Sequence, residues 1–466
     1  LHSFPTRRSS DLNPPDLLSP WMCQTNRPPY DLLYIDSFLQ RQGVETVFCD
    51  IENQRMSRFS FLRCIFENQP TLYVVNTTGR AHHFRYHFRS SLQEDTIIRN
   101  IVADIRSLRG HPLVFLTGET AKTYIDKYVA MDIDGILYDD PEFTLDEIVS
   151  MAFTRAEQLR DVKGIYYKHQ GSLVKNELRG AMKTLDELPP PCWERLPGYC
   201  WESAYRERRN FIDIVGMRGC QYSCVFCKSS HSRKVLRHSP AYLLREIREL
   251  HERFGYSDFF FRDAGYFDDE NDCAEMCAGL GRMGDIIWKC NARIDRMTEE
   301  RLRDMRRAGC TLIAYGVESA NDCTLHLIKK GISTQQISRV IHLTKKAGIR
   351  CAAYCMYGLP GEGLKDYVAT SRLVKEWGAD ILYFSRLYRL RNVSQAGFFS
   401  AVLALVLFCY FRIFLSFHRD CVVFLNKVRV DRFFRDIPRH VKNSFDLQCW
   451  RPYLRGRYRR MLVNND

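Results

Sequence analysis

Short apolar runs alternate along this chain with longer stretches whose apolar residues recur at helical spacing, the signatures of buried strands and of one-sided helices. In residues 13–150 the pattern predicts helices over 31–42, 96–108, 120–129 and 144–155. It predicts strands over 46–50, 71–76, 113–117 and 135–138. Strands and helices that take turns in this way build an α/β fold, here a doubly wound parallel sheet over 13–155. Residues 156–205 read as a connector. It holds a hairpin over 164–174, turning at Gln170-Gly171, and the run Pro189-Pro190-Pro191, which no helix interior accommodates.

The alternation resumes over 206–386. Strands are expected at 211–216, 258–262, 287–291, 311–317, 350–357 and 381–384. Helices are expected at 240–254, 272–281, 298–308, 322–328, 334–347 and 364–378. Six strand–helix units in series predict a partial (β/α)6 barrel of the TIM type, with its chemistry at the strand C-terminal ends. No internal repeat is visible.

The two ends break the pattern. Residues 1–12 (LHSFPTRRSSDL) have no periodicity and no apolar h-region, and read as a non-native scar. Residues 387–466 form a basic tail, with 15 Lys and Arg against 5 Asp and Glu, which carries most of the net charge of +13. Within it, residues 396–411 (AGFFSAVLALVLFCYF) contain no charge. That length is at the lower edge of the roughly 20 residues that span a bilayer. A membrane anchor, a buried core helix and a frame-disrupted tail are all open readings. Residues 421–434 read as an amphipathic helix on an anionic surface. The closing RPYLRGRYRR, basic with interleaved aromatics, fits either RNA contact or a solvated charge run.

Eighteen cysteines in 466 residues, with no secretory signal, point to a reducing, cytoplasmic setting, with the tail peripheral to or anchored in the inner face of the membrane. Three of them stand apart: Cys220, Cys224 and Cys227 in GCQYSCVFC, on the loop that follows the first barrel strand. Three thiolates on so short a loop can take three irons of a [4Fe–4S] cluster and leave the fourth iron open. A zinc site completed by His231 and a chance grouping of buried cysteines are the alternatives. Cys273, Cys277, Cys310, Cys323, Cys351 and Cys355 lack cluster spacing and read as small apolar residues.

The cysteine string, placed after the first strand of a βα barrel, resembles the radical S-adenosylmethionine (SAM) superfamily. The resemblance implies a [4Fe–4S] cluster whose open iron chelates SAM, reductive cleavage of the sulfonium, and radical chemistry on a substrate. Phe226 would then lie near the adenine. Further strings match in order: Asp263 ends the second strand, where the SAM amino group is met, and Arg293 ends the third, in reach of an anion. Glu318 ends the fourth and would accept from ribose hydroxyls. Gly358 and Gly361 end the fifth and would let backbone approach adenine. Lys329-Lys330-Gly331 matches a recurrent string without an assigned role.

Residues 13–155 are similar to the cobalamin-binding domain that precedes the barrel in one branch of that superfamily, on PPYDLLYI from Pro28, IDGILY from Ile133 and EFTL from Glu142. Cobalamin is therefore a possible third cofactor. The motif D-x-H-x-x-G is absent, and His82, His83 and His87 more readily suit a solvated loop. The resemblance implies an enzyme of methyltransferase, cyclase or oxidoreductase type. Its partners would be an apolar small-molecule substrate and an external flavodoxin- or ferredoxin-type electron donor. The competing expectations are a tRNA-modifying radical SAM enzyme, with nucleic acid the less favoured partner, and a non-catalytic iron–sulfur protein.

Overall fold

The computed structural model describes residues 28–50, 57–77, 90–108, 110–123, 125–151, 156–196, 205–227, 234–263, 265–386 and 422–424. The first elements are α1 (Tyr30–Arg41), α2 (Arg58–Asn68), β1 (Leu72–Asn76), α3 (Ser90–Arg106), β2 (Leu113–Thr117), α4 (Glu119–Thr123), β3 (Gly135–Leu137), α5 (Pro141–Ser150), β4 (Ile165–His169) and β5 (Ser172–Lys175). The five strands form one sheet in sequence order. β1, β2 and β3 run parallel, while β4 and β5 are an antiparallel hairpin added to the β3 edge. Gln170 and Gly171, both at positive φ, make its two-residue turn.

Two expectations need correction. A doubly wound sheet reverses its strand order at a switch point, and among the described residues this sheet has no reversal. Residues 46–50 also form no strand, and β1 is the edge of the sheet among the described residues.

The second group comprises β6 (Phe211–Ile214), β7 (Met217–Arg218), β8 (Leu236–Arg237), α6 (Pro240–Phe254), β9 (Asp258–Phe261), α7 (Glu270–Met283), β10 (Ile287–Ala292), α8 (Glu299–Arg307), β11 (Cys310–Glu318), α9 (Asp322–Leu327), α10 (Thr334–Lys346), β12 (Arg350–Tyr357), α11 (Leu364–Glu376), β13 (Ile381–Arg386) and β14 (Val422–Phe424). The sheet order is β6-β9-β10-β11-β12-β13-β14, parallel throughout. Its first six strands and their helices are the expected partial-barrel units. β14 corrects the amphipathic helix expected over 421–434 at those three residues. The apolar stretch 396–411, the scar 1–12, the basic terminus, His82, His83, His87 and His231 lie outside the described residues. No helix among the described residues is long and apolar enough to cross a membrane.

Local chemistry sets the helix limits. Ser239 accepts from the Tyr242 amide at 3.2 Å, Pro240 opens α6, and Gly255 closes it in a left-handed conformation. Ser333 and Gln336 form a capping box on α10. β9 buries all four of its residues, and its Asp258 pairs with Lys289 of β10 without solvent exposure of either side chain. Such a pair is sustained by its further bonds: Asp258 also accepts from the amides of Glu207 and Arg208, at 2.7 and 2.8 Å.

Helix α1 joins the two sheets. Leu33 belongs to the barrel core, Ile35 and Leu39 to the core with Phe115 and Leu137, and Tyr34 and Phe38 to a third cluster with Leu185, Leu188 and Leu236. Tyr30 donates to the Asp213 carbonyl at 2.7 Å. Burial pushes the His238 imidazole down to about 4, so it is neutral near pH 7. It donates from Nδ1 to Asp186 (3.1 Å) and accepts the Tyr34 hydroxyl on Nε2 (2.9 Å).

At this junction Glu246 of α6 is buried, and its carboxylate oxygens have no hydrogen-bond partner of good geometry. Burial, then the Glu249 charge, pushes it up to about 8, with the Trp193 indole pulling the other way. Because the native state holds this proton more tightly than the unfolded chain, stability falls as pH rises from about 4.5 to about 8 and is flat above. Glu246→Gln is expected to remove that slope and to stabilise the fold at pH 9 by on the order of 4 kcal/mol. Urea unfolding of both proteins at pH 6 and pH 9 checks this.

Candidate active site

The cysteine loop leaves the sheet at the C-terminal end of β6, and its base is shaped before the first cysteine is reached. Asp263, just beyond β9, accepts from the Gly216 amide (2.9 Å) and the Met217 amide (3.0 Å). Burial pushes this carboxyl up to about 7 while those backbone bonds pull it down. Its occupation thus differs from the expected contact with SAM, because both oxygens are committed to the turn that launches the loop. Within the loop, the Cys227 amide donates to the Cys224 carbonyl at 3.2 Å, and the Val225 amide donates to the Ile328 carbonyl at 3.2 Å. The first bond tightens the turn; the second ties the loop to the end of α9.

Side chains from the segments that follow β10 and α9 converge on this loop. Arg293, after β10, lies with its guanidinium carbon 3.7 Å from the centre of the Tyr222 ring. It donates to Asp295 and to the Lys330 carbonyl, both at 2.8 Å, and its own amide donates to Asp268 at 3.1 Å. Arg296 donates to the Tyr222 hydroxyl at 3.1 Å, so Tyr222 is held by two arginines. Lys330 donates to Glu318 at 2.8 Å, with its ammonium 5.8 Å from the Phe226 ring centre. The expected residues Phe226, Arg293 and Glu318 are therefore together. Lys330, Tyr222 and Asp268 join them.

Two cations face the most enclosed of the three thiols, although burial outweighs them and leaves that thiol raised. Burial pushes the Cys224 thiol up, while Lys330 and Arg293 pull it down against Glu318 and Cys220. Cys224 is buried, and Cys220 and Cys227 are half-buried. Among the described residues no three His, Cys, Asp or Glu side chains converge on one metal ion. A cubane asks for no such convergence, since each thiolate goes to a different iron. The donor set and its two cations thus fit an anionic iron–sulfur cluster.

Glu318 occupies a strained position, with φ +65, at an irregularity in the β11–β12 register between Gly316 and Glu318. A Cβ on Gly316 would stand 2.6 Å from the Lys330 ammonium and 2.7 Å from the Glu318 carboxylate. Glycine lets the ion pair lie across the strand. Gly316→Ala is expected to force that pair apart at a cost of about 1–3 kcal/mol. Thermal unfolding and SAM binding, compared with wild type, measure it.

Beyond the bulge, Ser319 donates to Glu362, and the Ala320 amide donates to Thr370 at 3.0 Å, tying the segment after β11 to the turn after β12 and to α11. Gly358 and Gly361 lie in that turn, where the Gly358 amide donates to the Tyr367 hydroxyl at 2.9 Å.

Residues 214–374 match the family model of the radical SAM superfamily. They are a radical SAM domain. The match begins at the end of β6 and reaches into α11, so it takes in every site residue described above. The radical SAM domain implies a [4Fe–4S] cluster and SAM.

The chain is 24% identical over 364 residues to an uncharacterised methyltransferase of Pyrococcus horikoshii, covering 78% of this chain and 76% of that protein. It is 23% identical over 354 residues to the anaerobic magnesium-protoporphyrin IX monomethyl ester cyclase of Synechocystis, covering 72% and 66%. The structure of the radical SAM methyltransferase TsrM from Kitasatospora setae, with cobalamin and a [4Fe–4S] cluster bound, superposes with a TM-score of 0.64 at 18% identity, covering 78% of this chain and 70% of that one.

Proposed function

We propose that Cys220, Cys224 and Cys227 hold a [4Fe–4S] cluster and that the chain is a methyltransferase- or cyclase-type radical SAM enzyme acting on an apolar small molecule. The observation that carries the reading is the meeting of the cysteine loop with Arg293, Lys330 and Glu318 at one end of a parallel sheet. When bound, the cluster supplies one electron to the SAM sulfonium and so starts radical chemistry. The chain's own residues bind and orient. Arg293 and Lys330 place positive charge beside Cys224, where the carboxylate of the methionine part is met. Glu318, held by Lys330, is the acceptor for ribose hydroxyls. Phe226 offers a face to the adenine, and the Gly358–Gly361 turn offers backbone to its edge. Asp263 positions the loop rather than the ligand.

Cobalamin is proposed as a third cofactor, beside the cluster and SAM, at the N-terminal sheet. Support comes from the fold shared with the TsrM structure, which holds cobalamin and a [4Fe–4S] cluster.

Anaerobic reconstitution of the full chain with iron, sulfide and hydroxocobalamin, followed by gel filtration and optical spectra, tests both cofactors. Co-elution of each chromophore with the protein is the expected result. A protein that takes up iron and sulfide but no corrinoid would remove cobalamin and leave the cluster.

A further inference from the structure

The two legs of the cysteine loop are joined by a short antiparallel ribbon, with Met217 opposite Arg237 and Arg218 opposite Leu236. The barrel holds one side of this ribbon through Asp263 and through Arg237, which donates to Asp272 at 2.8 Å. The other side belongs to the N-terminal part of the chain. Arg218, two residues before Cys220, donates to Glu142 from both terminal nitrogens, at 3.1 and 2.6 Å. The Glu142 side chain has no solvent exposure, and the guanidinium also lies 5.4 Å from the Tyr34 ring centre. On the returning leg Lys234 donates to Asp140 at 3.2 Å, and this buried carboxylate accepts the Met182 amide at 3.1 Å as well. Thr184 donates to the Arg237 carbonyl at 2.9 Å.

Asp140 and Glu142 both come from the turn between β3 and α5, at the C-terminal edge of the parallel strands. Asp140 is left-handed there, with φ +40, a conformation that costs a non-glycine residue free energy and persists where neighbours over-determine it. Burying two carboxylates is expensive unless each is paired. Ordinary packing between two sheets needs neither. Both are aimed at the legs of one loop.

We infer that Glu142 and Asp140 are positioning residues for the metal cluster: through Arg218 and Lys234 the N-terminal sheet grips both legs of the cysteine loop and sets how firmly the cluster is held. The inference rests on the reading that the three cysteines carry a [4Fe–4S] cluster. Partners one shell removed from metal ligands govern retention and electronics in this way. The Glu142 charge offsets that of Arg218 close to the cluster. Its loss therefore favours the more negative, reduced cluster and moves the potential upward.

The test uses the full chain, reconstituted anaerobically, as wild type, E142Q and K234M. Iron release to a ferrous chelator and the midpoint potential are read for each, with thermal unfolding of the metal-free proteins alongside. E142Q is expected to release iron about 10–100-fold faster than wild type, with a more positive potential. K234M changes a partly exposed lysine, so it keeps the question open to test should E142Q fold poorly; it is expected to release iron faster as well. Variants that melt earlier yet keep the wild-type release rate and potential would overturn the inference, since the pairs would then only join two parts of the fold. A wild-type chain that takes up no cluster would overturn the reading of the cysteines themselves, and this inference with it.

Discussion

Cys224→Ser is expected to reduce SAM cleavage to the uncatalysed background and to strip most of the iron–sulfur chromophore. Cys224 is the most enclosed of the three cysteines, and Lys330 and Arg293 both act on it. A serine hydroxyl there stays protonated near pH 7 and is a poor iron ligand, so the cluster loses one of three attachments while the cations remain. Formation of 5′-deoxyadenosine under reducing conditions, quantified by chromatography, gives the result. Cleavage at the wild-type rate in this variant would reject the cluster as the source of the chemistry. Cys323, exposed and remote in sequence from the loop, supplies the control: Cys323→Ser is expected to cleave SAM as wild type does.

The second large effect is expected at Lys330. Its ammonium neutralises Glu318 inside a nearly closed environment, and its carbonyl holds Arg293. Lys330→Met leaves the Glu318 carboxylate buried without its partner and removes one of the two cations beside Cys224. Truncating one member of such a pair costs about 2–5 kcal/mol, so SAM affinity is expected to fall by roughly 30-fold or more, with a lower melting temperature. Lys330→Arg keeps the charge and is expected to recover most of both. Equilibrium dialysis with SAM against the reconstituted protein measures the first, and calorimetry of the metal-free protein the second. Unchanged SAM affinity in Lys330→Met would assign the pair to stability alone.

The barrel was legible because its strands are buried on both faces and therefore read as unbroken apolar runs. Residues 350–357 were expected as a strand and β12 is Arg350–Tyr357; residues 240–254 were expected as a helix and α6 is Pro240–Phe254. The N-terminal part was less so. Helix α2 (RFSFLRCIFEN) escaped notice because its apolar residues ring the helix: Phe61 and Ile65 are buried, while Phe59 and Phe66 are 76% and 66% exposed. The run TVFCD has strand composition, yet residues 46–50 form no strand, although the outer edge of β1 carries no partner strand among the described residues.

At the site, the cysteines, Phe226, Arg293 and Glu318 stood out by spacing and by their positions at strand ends. Lys330 stood in a recurrent string, Lys329-Lys330-Gly331, but its role was not legible, since its partner Glu318 is twelve residues away across a helix and a turn. The same limit applies to Asp263. A carboxylate at a strand end can face a ligand or turn back to the preceding strand's amides, and only the folded chain distinguishes the two. Glu142 and Arg218 are 76 residues apart, so their pairing was invisible to any reading of local pattern.

The claim at the centre of this account is that three thiolates leave one iron of a cluster free to meet SAM. The most direct measurement is the electron paramagnetic resonance spectrum of the anaerobically reconstituted, reduced full-length chain, recorded without and with SAM. The account predicts the signal of a reduced [4Fe–4S] cluster whose g-values shift when SAM is added. A chain that shows no such signal, or a signal indifferent to saturating SAM, would contradict it.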